Sequence, residues 1–124
     1  MRPYAAIFPG QGSQHREMLL SYLNNNTFIN TLNESSEILK FDIVKTVEDE
    51  SKLNNTIYTQ PIMLATSIAI WRTWREKNES LPSYAAGHSL GEYSALVASQ
   101  IISLSDGLNL VSERAKMMVE AMGN

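Results

Sequence analysis

With 124 residues, 44% of them hydrophobic and 19% charged, and a net charge of −3, the chain has the make-up of one globular domain or a piece of one. The acidic balance excludes a general grip on nucleic acid, which needs Lys and Arg clustered along phosphates. The absence of cysteine excludes disulfides and thiolate metal sites, and it fits a reducing, cytoplasmic location.

Tyr4 to Phe8 is a continuous apolar run stopped by Pro9-Gly10, the pattern of a short buried strand. It is too short for the core of a signal peptide. Gly10-Gln11-Gly12-Ser13-Gln14 follows as a loop with two positions free to take unusual backbone angles. A helix is predicted through Met18, Leu19, Leu20 and Leu23, ending in Asn24-Asn25-Asn26. Phe28, Ile29, Leu32 and Leu39 predict a second, amphipathic helix. Asp42 is placed to cap a third through Ile43, Val44 and Val47. Glu48-Asp49-Glu50 reads as a solvated surface turn. Asn-x-Ser/Thr patterns at Asn25, Asn33, Asn54 and Asn78 are read as chance in an Asn-rich chain.

Gln60-Pro61 is predicted to open a long helix, because proline's missing N–H has no partner in the first turn anyway. The residues from Ile62 to Trp74 are apolar nearly all round, which predicts burial on most sides. The most apolar stretch, Ile62 to Trp71, is about half the roughly 20 residues a bilayer span needs, so no membrane segment is expected. Arg72, Arg75 and Lys77 complement the negative pole of this helix. Leu81-Pro82 breaks the run. Tyr84 to Gly87 reads as a second strand and Leu90 to Ala98 as the helix after it. Ser103-Leu104-Ser105-Asp106 has the form of a capping box. The last helix carries Leu108, Val111, Ala115, Met118, Val119 and Met122 on one stripe, and Gly123-Asn124 has the form of its C-cap. Strands alternating with helices predict an α/β fold with a parallel sheet. Two strands alone leave edges of a buried type open, so the chain is expected to be a portion of a larger fold.

The chemistry centres on Gly87-His88-Ser89-Leu90-Gly91, a G-x-S-x-G nucleophile elbow between a strand and a helix. Such a turn lifts the serine oxygen toward substrate. The helix N-terminus behind it offers N–H groups to a developing oxyanion. The competing reading of Ser89 is a plain helix cap. Gly10-Gln11-Gly12 could likewise be an ordinary tight turn, and a nucleotide loop is disfavoured by His15 in place of the third glycine.

His88-Ser89-Leu90-Gly91-Glu92-Tyr93-Ser94-Ala95-Leu96 resembles the active-site segment of the malonyl-CoA:acyl carrier protein transacylases. Phe8-Pro9-Gly10-Gln11-Gly12-Ser13-Gln14, Thr59-Gln60-Pro61 and Ser112-Glu113-Arg114-Ala115-Lys116-Met117-Met118 match the same family in order and spacing. Acyltransferase domains of polyketide synthases are the nearest rival. The resemblance covers essentially the whole chain, as the N-terminal part of the catalytic domain. It implies an incomplete acyltransferase fold with an α/β-hydrolase-like elbow. A C-terminal half with a small ferredoxin-like subdomain would complete it.

The resemblance further implies that Ser89 takes the malonyl group from malonyl-CoA and hands it to the phosphopantetheine thiol of an acyl carrier protein, in fatty acid synthesis. This is covalent, two-step catalysis. The backbone N–H groups of Gln11 and Leu90 would form the oxyanion hole, and Arg114 would grip the malonyl carboxylate with its flat fork of donors. The competing reading of Arg114 is a surface arginine on an amphipathic helix. No bound cofactor is implied, and two isolated histidines make no metal site.

The family's catalytic histidine belongs to the C-terminal half, so the 124 residues alone are expected to turn over slowly or not at all, and to fold poorly. His88 is expected to pack beneath the elbow and His15 to be peripheral. An esterase or thioesterase, and a non-catalytic fragment that binds a carrier protein, are the other readings. An acidic carrier protein would need a local basic patch, with Arg16, Arg72, Arg75, Lys77, Arg114 and Lys116 as candidates.

Overall fold

The computed structural model describes residues 2–123. The strand β1, Ala5–Phe8, pairs in parallel with β2, Tyr84–Gly87, with Ala5 opposite Tyr84 and Phe8 opposite Gly87. These two strands form the sheet among the described residues, and the α/β class is as expected. Between them run four helices: α1 (Asn26–Leu39), α2 (Ile43–Val47), α3 (Glu50–Leu53) and α4 (Thr56–Lys77). After β2 come α5 (Gly91–Ala98) and α6 (Leu104–Ala121).

The core is built around α4. Every residue from Thr59 to Ala69 is buried, which accounts for the near-absence of a polar face there. Phe28 and Leu32 of α1, Ile43 and Val47 of α2, and Leu108 and Val111 of α6 close on it, each at most 1% exposed. The predicted burial stops short, however. Trp71 is half-buried and Trp74 is 43% exposed. The last turns of α4 leave the helical core and run beside β1, where Phe8 meets Trp71 and Tyr4 meets Trp74 edge-on at 6.0 and 6.2 Å. Arg75 closes this end. Its Nη1 donates to the carbonyls of Asn78, Glu79 and Ser80 at 2.9, 2.7 and 3.1 Å, where backbone acceptors collect past a helix end.

Three local expectations need correction. The apolar residues Met18, Leu19 and Leu20 are contiguous rather than helically spaced, so they do not build a stripe. Leu19 alone is buried, Leu20 is 61% exposed, and the segment forms only a 3-10 turn at Leu20–Tyr22. Glu48-Asp49-Glu50 is more than a turn. The Asp49 carboxylate accepts from the Ser51 hydroxyl and from the Ser51 and Lys52 N–H groups, and so caps α3. The Ser51 hydroxyl first, then the Lys52 N–H, hold this carboxyl below its ordinary value of 3.8. The small stabilisation that follows is present at neutral pH and is lost as acid titrates the folded state.

The long helix begins earlier than predicted, at Thr56, with the Asn55 side chain accepting from Ile57 N–H at 3.1 Å. Pro61 therefore lies inside α4 and removes one helical bond near its start.

Asp42 caps α2 and Ser103 caps α6 as expected, and Gly123 takes φ +77° just past the end of α6. Asn124 lies outside the described residues. The stripe of α6 is buried through Ala115, while Met118 and Met122 are 37% and 76% exposed. Both strands also show uncovered apolar side chains, Ile7 at 71% and Tyr84 at 77% exposure. Concavities of about 1070 and 720 Å³ open beside the start of β2 and along β1. No described helix is long and apolar enough to cross a membrane.

Candidate functional site

Ser89 sits between the end of β2 and the start of α5 with φ +57°, a left-handed conformation that costs a non-glycine residue on the order of 1–3 kcal/mol. Packing on both sides enforces it. A Cβ on Gly87 would overlap the backbone of Gly91, and one on Gly91 would overlap the Phe8 carbonyl at the end of β1. The elbow is thus wedged between the two strand ends with room for glycine only. Gly91 N–H donates to the His88 carbonyl at 3.0 Å and Glu92 N–H to the Ser89 carbonyl at 3.0 Å, which starts α5. No side chain caps α5, so the Ser89 hydroxyl is not its cap. Ser89 is exposed, while Leu90 behind it is 1% exposed and anchors the turn in the core.

The glycine loop after β1 lies directly against this turn. A Cβ on Gly10 would come within 2.7 Å of the His88 carbonyl oxygen and 3.9 Å of Leu90 N. The loop that carries Gln11 therefore packs against the backbone of the elbow between His88 and Leu90. Gly12, at φ +114°, gives the loop its turn, and its N–H donates to Gln14 Oε1 at 2.7 Å.

Arg114 reaches the same place from α6. Its Nη2 donates to Ser89 Oγ at 2.8 Å, and its Nη1 donates to Gln60 Oε1 at 2.9 Å. The guanidinium lies 5.6 Å from the ring centre of Tyr93 on α5. Arg114 is half-buried, so it is not a loose surface side chain. All four residues expected from the sequence meet here: Gln11, Ser89, Leu90 and Arg114. Gln60 and Tyr93 were missed. Two signals pointed at Gln60 without giving it a role: it is a polar residue at the head of an otherwise apolar helix, and it belongs to Thr59-Gln60-Pro61, one of the segments that resemble the family.

His88 departs from expectation. It is exposed rather than packed beneath the elbow. Its carbonyl takes the inner position, against Gly10 and bonded to Gly91, which turns the side chain outward. Among the described residues Ser89 Oγ is bonded to Arg114, not to a histidine. No cluster of three or more metal-ligating side chains is found among the described residues. Four of the candidate basic residues are already engaged. Arg72 is paired with Glu34 at 2.9 Å and Lys116 with Glu113 at 3.4 Å, while Arg75 and Arg114 are engaged as described.

The arrangement offers an exposed hydroxyl on a strained turn, backbone donors beside it, and a guanidinium within hydrogen-bonding range. That set suits attack on an acyl group that also bears an anion.

Comparison with known proteins agrees with this geometry. The profile of the family described as "Acyl transferase domain" matches residues 6–124. The "Malonyl CoA-acyl carrier protein transacylase" of Buchnera aphidicola subsp. Schizaphis graminum is 40% identical over 128 residues, covering 100% of this chain and 41% of its own length. The structure of the malonyl CoA-acyl carrier protein transacylase from Coxiella burnetii superposes with a TM-score of 0.92 at 36% identity, over 97% of this chain and 39% of that one. A malonyl-transacylase in complex with a type II polyketide synthase acyl-carrier protein superposes at 0.91 with 45% identity, over 97% and 40% of the two chains. The chain thus spans about 40% of the length of the relatives it matches.

Proposed function

The chain belongs to the acyl transferase domain family, and from that premise we propose that it is the N-terminal part of a malonyl-CoA:acyl carrier protein transacylase of fatty acid synthesis. The observation that carries the reading is the 2.8 Å contact between the Arg114 guanidinium and the oxygen of Ser89 on its strained elbow. A carboxylate-binding fork beside a nucleophile selects an acyl thioester with a second acid group.

In this reading Ser89 Oγ attacks the thioester carbon of malonyl-CoA. The new C–O bond forms as the C–S bond breaks, and the hydroxyl proton leaves with CoA as its thiol. The negative charge on the carbonyl oxygen during attack faces the N–H groups of Leu90 and Gln11. Each such donor is worth about 2.7–4 kcal/mol in the transition state. The phosphopantetheine thiol of an acyl carrier protein then attacks the ester, and Ser89 recovers a proton. Among the described residues no histidine is bonded to Ser89 Oγ, so residues 1–124 alone are expected to turn over slowly or not at all. Action in the cytoplasm, on a carrier protein, belongs to the same reading.

Arg114→Ala is expected to lower the preference for malonyl-CoA over acetyl-CoA by about tenfold or more. Hydrogen bonds to a charged group are worth roughly 1.5–3 kcal/mol. Competition between the two thioesters for Ser89, read by mass spectrometry, measures it. An unchanged preference removes Arg114 from carboxylate recognition. Release of free malonate in place of transfer to carrier protein would identify a hydrolase.

A further inference from the structure

The loop after β1 carries a glycine on each side of Gln11, so its own backbone does little to hold it still. Its first half is fixed by contact, because Gly10 lies against the His88 carbonyl with no room for a Cβ. Its second half lacks that support: nothing lies within 4 Å of a Cβ at Gly12. There the half-buried Gln14 takes over. Its Oε1 accepts from Gly12 N–H at 2.7 Å, and its Nε2 donates to Asn54 Oδ1 at 2.9 Å, across 40 residues of chain. A backbone N–H can only donate. It therefore fixes which end of the Gln14 amide is oxygen, and through it which end of Asn54 faces the loop.

Asn54 is a firm anchor. It closes α3, its N–H donating to the Glu50 carbonyl at 3.1 Å, and it follows Leu53, which is 1% exposed. The buried Thr59 hydroxyl donates to the carbonyls of Leu53 and Asn55 and so ties this corner to α4. Gln11 Nε2 reaches the same corner, donating to Thr56 Oγ1 at 3.1 Å. That bond holds the end of a flexible side chain, whereas Gln14 grips the loop by its backbone. We propose that Gln14 and Asn54 are a positioning pair that holds the backbone of the Gln11 loop against the elbow, so that the Gln11 N–H stays in place for the charge formed on the acyl oxygen. The proposal rests on the malonyl-transfer reading above. Both side chains act through the loop rather than on the substrate. A donor already held in place needs no ordering at the moment of attack.

Exchanging amide for carboxylate tests the pair in the purified protein. Malonyl uptake on Ser89 is followed by intact-mass spectrometry over a range of malonyl-CoA concentrations, which separates limiting rate from apparent affinity. Asn54→Asp leaves an acceptor for Gln14 Nε2. Gln14→Glu leaves an acceptor for Gly12 N–H, and Asn54 can turn its Nδ2 toward the new carboxylate. Each single variant keeps a bond across the gap and is expected to load within about twofold of the parent rate. Gln14→Glu combined with Asn54→Asp sets two carboxylates face to face with no donor between them. The double variant is expected to lose about tenfold or more in limiting rate, with apparent malonyl-CoA affinity changed by less than about twofold. A general loosening of the fold, or added negative charge alone, would make the two single effects add up to the double. Additive effects, a single variant that loses as much as the double, a double variant that loads at the parent rate, or a loss that falls on affinity instead of rate each overturn the pair. A parent protein that takes up no malonyl is a different result: it overturns the malonyl reading, and the proposal with it.

Discussion

Incubated with malonyl-CoA, the protein is expected to gain one malonyl group on Ser89, and Ser89→Ala is expected to gain none. The substitution deletes one exposed oxygen and touches no core contact, so the fold stays as it is. The chemistry does not. Loss of a serine nucleophile costs on the order of 10⁶-fold in rate where it has been dissected in other enzymes. The acyl-enzyme is a covalent product, so intact-mass spectrometry after long incubation detects it even when attack is slow. Malonyl found elsewhere with Ser89 present, or found equally in Ser89→Ala, would falsify the assignment. No adduct in either protein would favour a fragment that binds a carrier protein without catalysis.

The second large effect is structural. Gly91→Ala is expected to destabilise the fold by about 3 kcal/mol or more, at the upper end of overpacking costs. The added methyl meets backbone on the far side, at the Phe8 carbonyl, where no side chain can swing away. Gly87→Ala meets the backbone of Gly91 and is expected to behave alike. Gly12→Ala is the internal control. Nothing lies within 4 Å of its Cβ, so only its φ of +114° resists, at about 1 kcal/mol. Chemical denaturation of the three variants checks the order. If Gly91→Ala and Gly12→Ala lose the same stability, the wedge between strand end and elbow is not what fixes the turn.

Much of this arrangement was legible in the sequence, for local reasons. Pro9-Gly10 ends β1 and Leu81-Pro82 precedes β2, so the strands are bounded by residues that break periodic structure. Asp42 and Ser103 mark helix starts through side chains that accept from the N–H groups of Lys45 and Asp106, three residues on, with no tertiary contact needed. The elbow was legible because its glycines have a steric cause. Other features depend on partners distant in the chain. Trp74 is as apolar as Ile68, yet only the path of α4 beside β1 decides that one is 43% exposed and the other 1%. Gln60 and Arg114 stand 54 residues apart, and no periodicity links them. The start of α4 could have been found, since Asn55 before Thr56 is a good cap. The proline five residues on drew the boundary to itself.

The pairing of Phe8 with Gly87 places the exits of two strands side by side. A parallel ladder advances about 3.3 Å per residue, more than the whole margin of a hydrogen bond. A slip of a single rung would carry the Gln11 amide out of range of an oxygen held at Ser89, with every side chain still present. Under the proposed malonyl-transfer reading, the alignment of the short ladder is the ruler of the site, and substitutions along Ala5 to Ile7 that shift pairing are expected to silence Ser89 from a distance.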